Sequence, residues 1–385
     1  MYYSKKYWIH SISWDSFWMM SGIWITFLFI LLDSIHIQET FYMVGLFLFW
    51  ISHRFSSFYI AWFSYSYKPL RRDQKKRFII IPVLIIVSVL SLLFAPEISS
   101  SFTLHEKLLG LLLLDFFWGT HHFAAQHYGI IQIYHKKYNL ESTDSSKRKD
   151  RFFCWGIGGA MVVLAELLHG TSFLQEKHLL PYHFSNFGTK YIGLMIDLGT
   201  LLGICVTLFM IYDGMLKAYS FPKILYLSSL GLMVVAAFQL DPIQFIMLWT
   251  LQHWLASLGL AIHIQGNQIS MESKKKNFSE KNRYKKNSLK LWMTLIYMCT
   301  FSAIMTPFFE IEAASAGNRY TEQIWPSLMV WLENSDLYKF LVGVGIASGF
   351  LHYWMDRAVY RFSDLQTRNI ISNLIFPSQN PQKNG

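Results

Sequence analysis

Five of the chain's 14 histidines, His53, His121, His122, His253 and His352, stand inside apolar stretches long enough to cross a membrane, on four separate predicted helices. An ionisable group at membrane depth costs about 3 kcal/mol unless something compensates it. A convergent set of imidazoles from several helices therefore suggests a bound metal. Neutral imidazole together with a carboxylate, here Asp356, suits iron, copper or zinc. A histidine and carboxylate set with open coordination positions is how non-haem iron binds oxygen.

The spacing refines the set. Along the predicted helix that carries Trp118 to Gly129, residues four and seven apart share a face, so Asp115, Trp118, His122 and Gln126 form one stripe. His121 and His127 lie roughly 100° and 140° away from His122. One of the adjacent pair can enter a site while the other meets a neighbouring helix. His122 is the preferred ligand, with Gln126 one turn on to support it, and His121 is nearly equal. Ser348, His352 and Asp356 recur every four residues, which sets His352 and Asp356 as two ligands, or as a ligand and the carboxylate that orients it. Glycines 343, 345 and 349 permit close helix packing beside them. Gln126 and His127 are expected to orient ligands or pass protons. Arg54, inside a span, either snorkels to a lipid phosphate or substrate carboxylate or pairs with Asp356. Arg357 and Arg361, four apart at the membrane border, are expected to bind headgroups.

Positioning such residues requires membrane helices, and the composition supplies them. The chain of 385 residues is 53% hydrophobic and 17% aromatic but only 15% charged, against roughly a quarter charged in soluble domains. The fold expected is an all-α polytopic membrane bundle of about ten transmembrane helices, near 17–32, 40–63, 78–95, 106–134, 152–174, 190–212, 222–240, 243–265, 289–307 and 337–355. The first run ends in Asp33 without a small-residue cleavage pattern and reads as a retained helix. One transmembrane domain covers 1–376, with a mobile basic loop at 266–288 and a flexible tail at 377–385.

Of the 34 basic residues, all but Arg54, Lys107, Lys177, Lys190, Arg319 and Lys339 fall on one set of alternating loops. The positive-inside rule then puts both termini in the cytoplasm. The net charge of +10 is explained by a basic face beside anionic lipid, with no nucleic acid as partner. Cys154, Cys205 and Cys299 sit in apolar stretches with no CxxC pair and read as packing residues. In this topology the four histidine-bearing helices all run from outside to inside, and their histidines lie ~15 to 24 Å below the outer ends, in one slab.

The stretch from Gln252-His253-Trp254 to His263 resembles, over one span, membrane carotenoid dioxygenases, which gather histidines from several helices around iron. The chain is similar to membrane desaturases and hydroxylases in placing many histidines toward the cytoplasmic side, although it carries neither their HxxxH nor their HxxHH box. The leading expectation is a membrane oxygenase or desaturase-like oxidoreductase. Its iron is held by His53, His122, His253 and His352 with Asp356, its substrate is a membrane lipid or isoprenoid, and an electron donor is its partner. One alternative is a haem protein with two of these histidines as axial ligands, and another transition metal fits the same donors. The other is a proton-coupled transporter using Asp115, Glu166 and Asp197. In a bacterium the membrane would be the plasma (inner) membrane.

Overall fold

The computed structural model describes residues 7–34, 49–96, 103–137, 143–176, 182–217, 219–240, 242–275 and 336–376, with scattered positions between 293 and 300. Among them the secondary structure is entirely helical. The helices are α1 (Ile12–Trp18), α2 (Ser21–Ser34), α3 (Ile51–Phe63), α4 (Lys68–Asp73), α5 (Ile81–Phe94), α6 (Leu104–Lys137) and α7 (Asp144–Arg151). They continue with α8 (Val162–Glu176), α9 (Tyr182–Leu216), α10 (Phe221–Gln239), α11 (Pro242–Lys275), α12 (Asp336–Val359) and α13 (Leu365–Ile375). The start of the second span at 40–48 and the tail at 377–385 lie outside the described residues, as does nearly all of the ninth span.

Local chemistry accounts for several boundaries. Ser11, Thr143 and Asp364 each accept a backbone N–H from three residues on, capping α1, α7 and α13. Pro82 has no N–H to offer the carbonyl one turn back, and the chain just before it, Lys76–Ile80, is wound as a wider π-helix. A second π segment, Phe152–Met161, contains Gly156, Gly158 and Gly159.

Five helical stretches are long and apolar enough to cross a membrane: Lys76–Phe94, Glu106–Lys137, Asp144–His169, Tyr191–Leu216 and Phe221–Gln239. A sixth forms if the pair Ile12–Trp18 and Ser21–Leu31, bent by 56°, is taken as one span. These features are those of an integral membrane protein. α11 and α12 are also longer than 18 residues, and each carries histidine within its apolar run.

The chain divides into two compact units, each discontinuous: residues 1–42 with 120–259, and residues 43–119 with 260–385. In the first, α10 packs against α2, α8 and α9. Its most apolar window is 67% buried, against 22% for that of α9, so α10 is the core helix and α9 the outer one. Leu194, Leu198, Leu201 and Leu208 of α9 are accordingly exposed, as lipid-facing side chains must be.

In the second unit α12 packs against α3 and α5. Val89, Leu93, Leu108, Leu111, Val342, Ile346, Ala347 and Phe350 form its core. Lipid removes most of the hydrophobic drive between helices, so close van der Waals approach carries more of the packing. Gly343 provides it, because a Cβ there would lie 2.7 Å from Leu90 Cδ2 and 3.0 Å from Leu93 Cδ1.

The segment expected as a loop from residue 266 is helical as far as Lys275, a correction to the linker boundary. Polar side chains dock it: Ser64 donates to Gln268 Oε1 at 2.6 Å, and Asn267 Nδ2 donates to the Leu374 carbonyl at 2.7 Å. Composition rich in Asn and Ser signalled a linker, but these side chains are spent on holding the helix against α13 and the end of α3.

Replacing Gly343 by Val is expected to lower stability by about 1–3 kcal/mol, seen as a lower thermal midpoint in detergent. Gly110→Ala, with nothing within 4 Å of the new Cβ, should show no loss.

Outside the spans, the Thr367 side chain and backbone donors hold the Asp364 carboxyl below its ordinary range, with Arg77 adding at 3.3 Å. A lowered folded pKa means stabilisation that is present above the ordinary aspartate value and lost as pH falls through the lowered one. Asp364→Ala should therefore cost about 1 kcal/mol near neutral pH and flatten the acid limb of the melting profile, measured by thermal unfolding from pH 7 to 3.

Candidate metal centre

α3 and α12 bring two of the sequence-expected ligands together in the second unit. His53 Nδ1 lies 2.8 Å from the Trp50 carbonyl, which can only accept, so Nδ1 carries the proton and Nε2 the lone pair. That lone pair faces His352 Nε2 at 3.0 Å, with the rings edge to face. Both side chains are buried, at 4% and 2% exposure.

On the far side of the second ring, His352 Nδ1 is 3.7 Å from Asp356 Oδ1, one turn along α12. Asp356 accepts the hydroxyl of Ser57. If Asp356 draws the His352 proton to Nδ1, both Nε2 lone pairs point at each other across 3.0 Å. Two such lone pairs repel unless a cation, a proton or a metal ion, lies between them. Two nitrogens at this separation can both reach one ion at about 2.0–2.1 Å. His53 and His352 thus offer the chemistry to hold a metal ion.

Arg54 turns toward the N-terminal part of α12, donating to the Gly345 carbonyl at 3.1 Å and to Ser348 Oγ at 2.9 Å, while its guanidinium lies over Trp50. Asp356 is engaged by Ser57 instead. A Cβ on Gly349 would lie 3.2 Å from Asp115 Oδ1 and 3.6 Å from Arg54 Nη2, so this glycine makes room for both charged groups. Arg357 is exposed.

In the first unit, α6 and α11 pair the other two histidines. The rings of His122 and His253 stand edge to face, 5.0 Å between centroids, and Phe123 stacks on His253 at 3.8 Å. Gln126 donates to the His253 carbonyl at 3.3 Å and accepts the Ser257 hydroxyl at 3.0 Å, which fixes α11 at that turn. His121 is exposed and accepts the Trp155 indole N–H at 3.0 Å. His127 is buried and meets the Tyr226 hydroxyl at 2.7 Å. Glu166 is half-buried on α8 and Asp197 exposed on α9.

Sequence reasoning missed two buried polar clusters of the first unit. Asp15, fully buried, accepts the backbone N–H groups of Ile9 and His10 at 2.8 and 3.1 Å and the Tyr134 hydroxyl at 2.9 Å. Lys223, counted above as a loop charge, is buried: its ammonium is 3.2 Å from Asp150 Oδ1, touches His135 Nε2, and lies 3.7 Å over the Tyr219 ring. Asp150 also accepts from Gln132 and His135, each at 3.0 Å. The available signal was weak: His135 and Asp150 lie at the ends of apolar runs, where charges resemble headgroup anchors.

No protein-family model, curated protein or solved structure matches this chain. The residues themselves are what any functional reading has to stand on.

Lys223→Met would strand Asp150 and His135 in the interior, and a broken buried pair costs about 3–5 kcal/mol. Unfolding of detergent-purified protein should show that loss. The double change Lys223→Met with Asp150→Leu should recover part of it.

Proposed function

We propose that this chain is a multi-pass membrane oxidoreductase whose histidines hold a metal ion, most simply non-haem iron, for oxygen chemistry on a lipid-soluble substrate. The observation that carries the reading is the His53–His352 contact: two buried imidazole nitrogens 3.0 Å apart, one fixed as a lone-pair donor by Trp50, the other backed by Asp356. In the first unit, His122 and His253 form a separate pair of candidate ligands. Asp356 acts as the carboxylate that orients a ligand ring and raises its basicity. Gln126 holds the turn that presents His253.

The donor set favours this over the haem alternative. His53 and His352 would hold such an ion through two adjacent imidazole nitrogens. Imidazole ligands with open positions, one of them oriented by a carboxylate, suit non-haem iron. A substrate with an acyl or isoprenoid chain can reach such a site laterally from the bilayer, with reducing equivalents supplied by an electron donor. The reading includes about ten spans with both termini in the cytoplasm, as the loop charges indicate. In a bacterium it includes the plasma membrane.

Metal analysis of the detergent-purified protein, with its visible spectrum, tests the proposal. Iron near one equivalent without a haem band is expected. His53→Ala and His352→Ala should each lose at least about tenfold in metal occupancy while remaining monodisperse, and Asp356→Asn should lose about 10- to 100-fold in metal affinity. Full occupancy in both histidine variants would sink the assignment.

A further inference from the structure

We propose that a groove on the first unit, between the π segment Phe152–Met161 with the end of α7 and the outer helix α9, binds one anionic phospholipid. The groove encloses about 440 Å³ and is lined by Arg148, Lys149, Phe152, Cys205, Val206, Phe209 and Met210. Its walls are nearly all apolar, and its cations stand together on the last turn of α7. This site is independent of the metal-binding reading.

The charge at that end is positive in excess. Lys149 lies 2.7 Å from one oxygen of Asp213 and Lys217 2.8 Å from the other, so two ammonium groups cover a single carboxylate. Arg148 is exposed one residue before Lys149 and adds a further charge, and Arg151 lies over Tyr128 one turn on. Below the cations, Phe152 and Phe209 are 62% and 53% exposed, two large rings flanking a slot rather than filling a core.

An occupant must match both parts. Inorganic phosphate would answer the cations and leave the apolar slot to water. A zwitterionic lipid would fill the slot, but its choline would face Arg148 and Lys149. A phosphatidylglycerol-type lipid satisfies the two requirements with one phosphate and one acyl chain. Cationic residues beside a membrane attract anionic lipid by an amount that corresponds to about fivefold in affinity per charge.

The test is native mass spectrometry of the intact protein released from micelles containing equimolar phosphatidylglycerol and phosphatidylcholine. The wild type should retain one phosphatidylglycerol under activation that strips phosphatidylcholine. Arg148→Gln should reduce that preference about fivefold. Cys205→Trp, which fills the slot from an exposed position, should lose the retained lipid altogether. Both changes are at exposed positions, and an unchanged thermal midpoint establishes that the variants are folded. Equal retention of the two lipids by the wild type, or wild-type retention in either variant, would overturn the proposal.

Discussion

The hydrogen bond between His53 Nδ1 and the Trp50 carbonyl determines the polar interior of the second unit. By occupying the only N–H of a neutral ring it makes Nε2 an acceptor, and it aims that acceptor at His352. Everything next to the pair then has to respond to an orientation already chosen. His352 must supply a proton or share a cation, Asp356 influences which, and Ser57 is placed to hold Asp356. In water such preferences are blurred by solvent, which would donate or accept as needed. In a buried site each proton position excludes another, and four side chains and one carbonyl decide the outcome together.

The same constraint separates two kinds of helix. Stretches such as Lys76–Phe94 and Tyr191–Leu216 are apolar on every side and leave much of their surface for lipid. α12 instead spends its inner face on Gly345, Ser348, His352 and Asp356. Helices that carry chemistry thus set a polar stripe within an apolar surface. Their polar groups are tolerated because neighbours satisfy them: Arg54 is held by a carbonyl and a hydroxyl, and Gln126 by Ser257 and the His253 carbonyl.

That trade explains what could be read from the chain alone. Apolar length announced most of the helices, and the four-residue recurrence of Ser348, His352 and Asp356 announced a polar face. Nothing local could announce that the partner of His352 is 299 residues away on α3, or that Ser57 rather than Arg54 engages Asp356. Helical phase separated His121 from His122, but only the packing of α6 shows that one meets Trp155 and the other His253. Lys223 was misplaced for a related reason: a lysine at a helix start is normally solvated, and its burial depends on Asp150 and His135 arriving from two other segments.

The uninterrupted course of α11 has a mechanical consequence. At 1.5 Å per residue its 34 residues measure about 51 Å, some 20 Å more than a hydrocarbon core of ~30 Å. The surplus is braced at His263, Asn267 and Gln268 by the end of α13 and by Ser64. It behaves as a stiff mast whose tip carries Lys274 and Lys275.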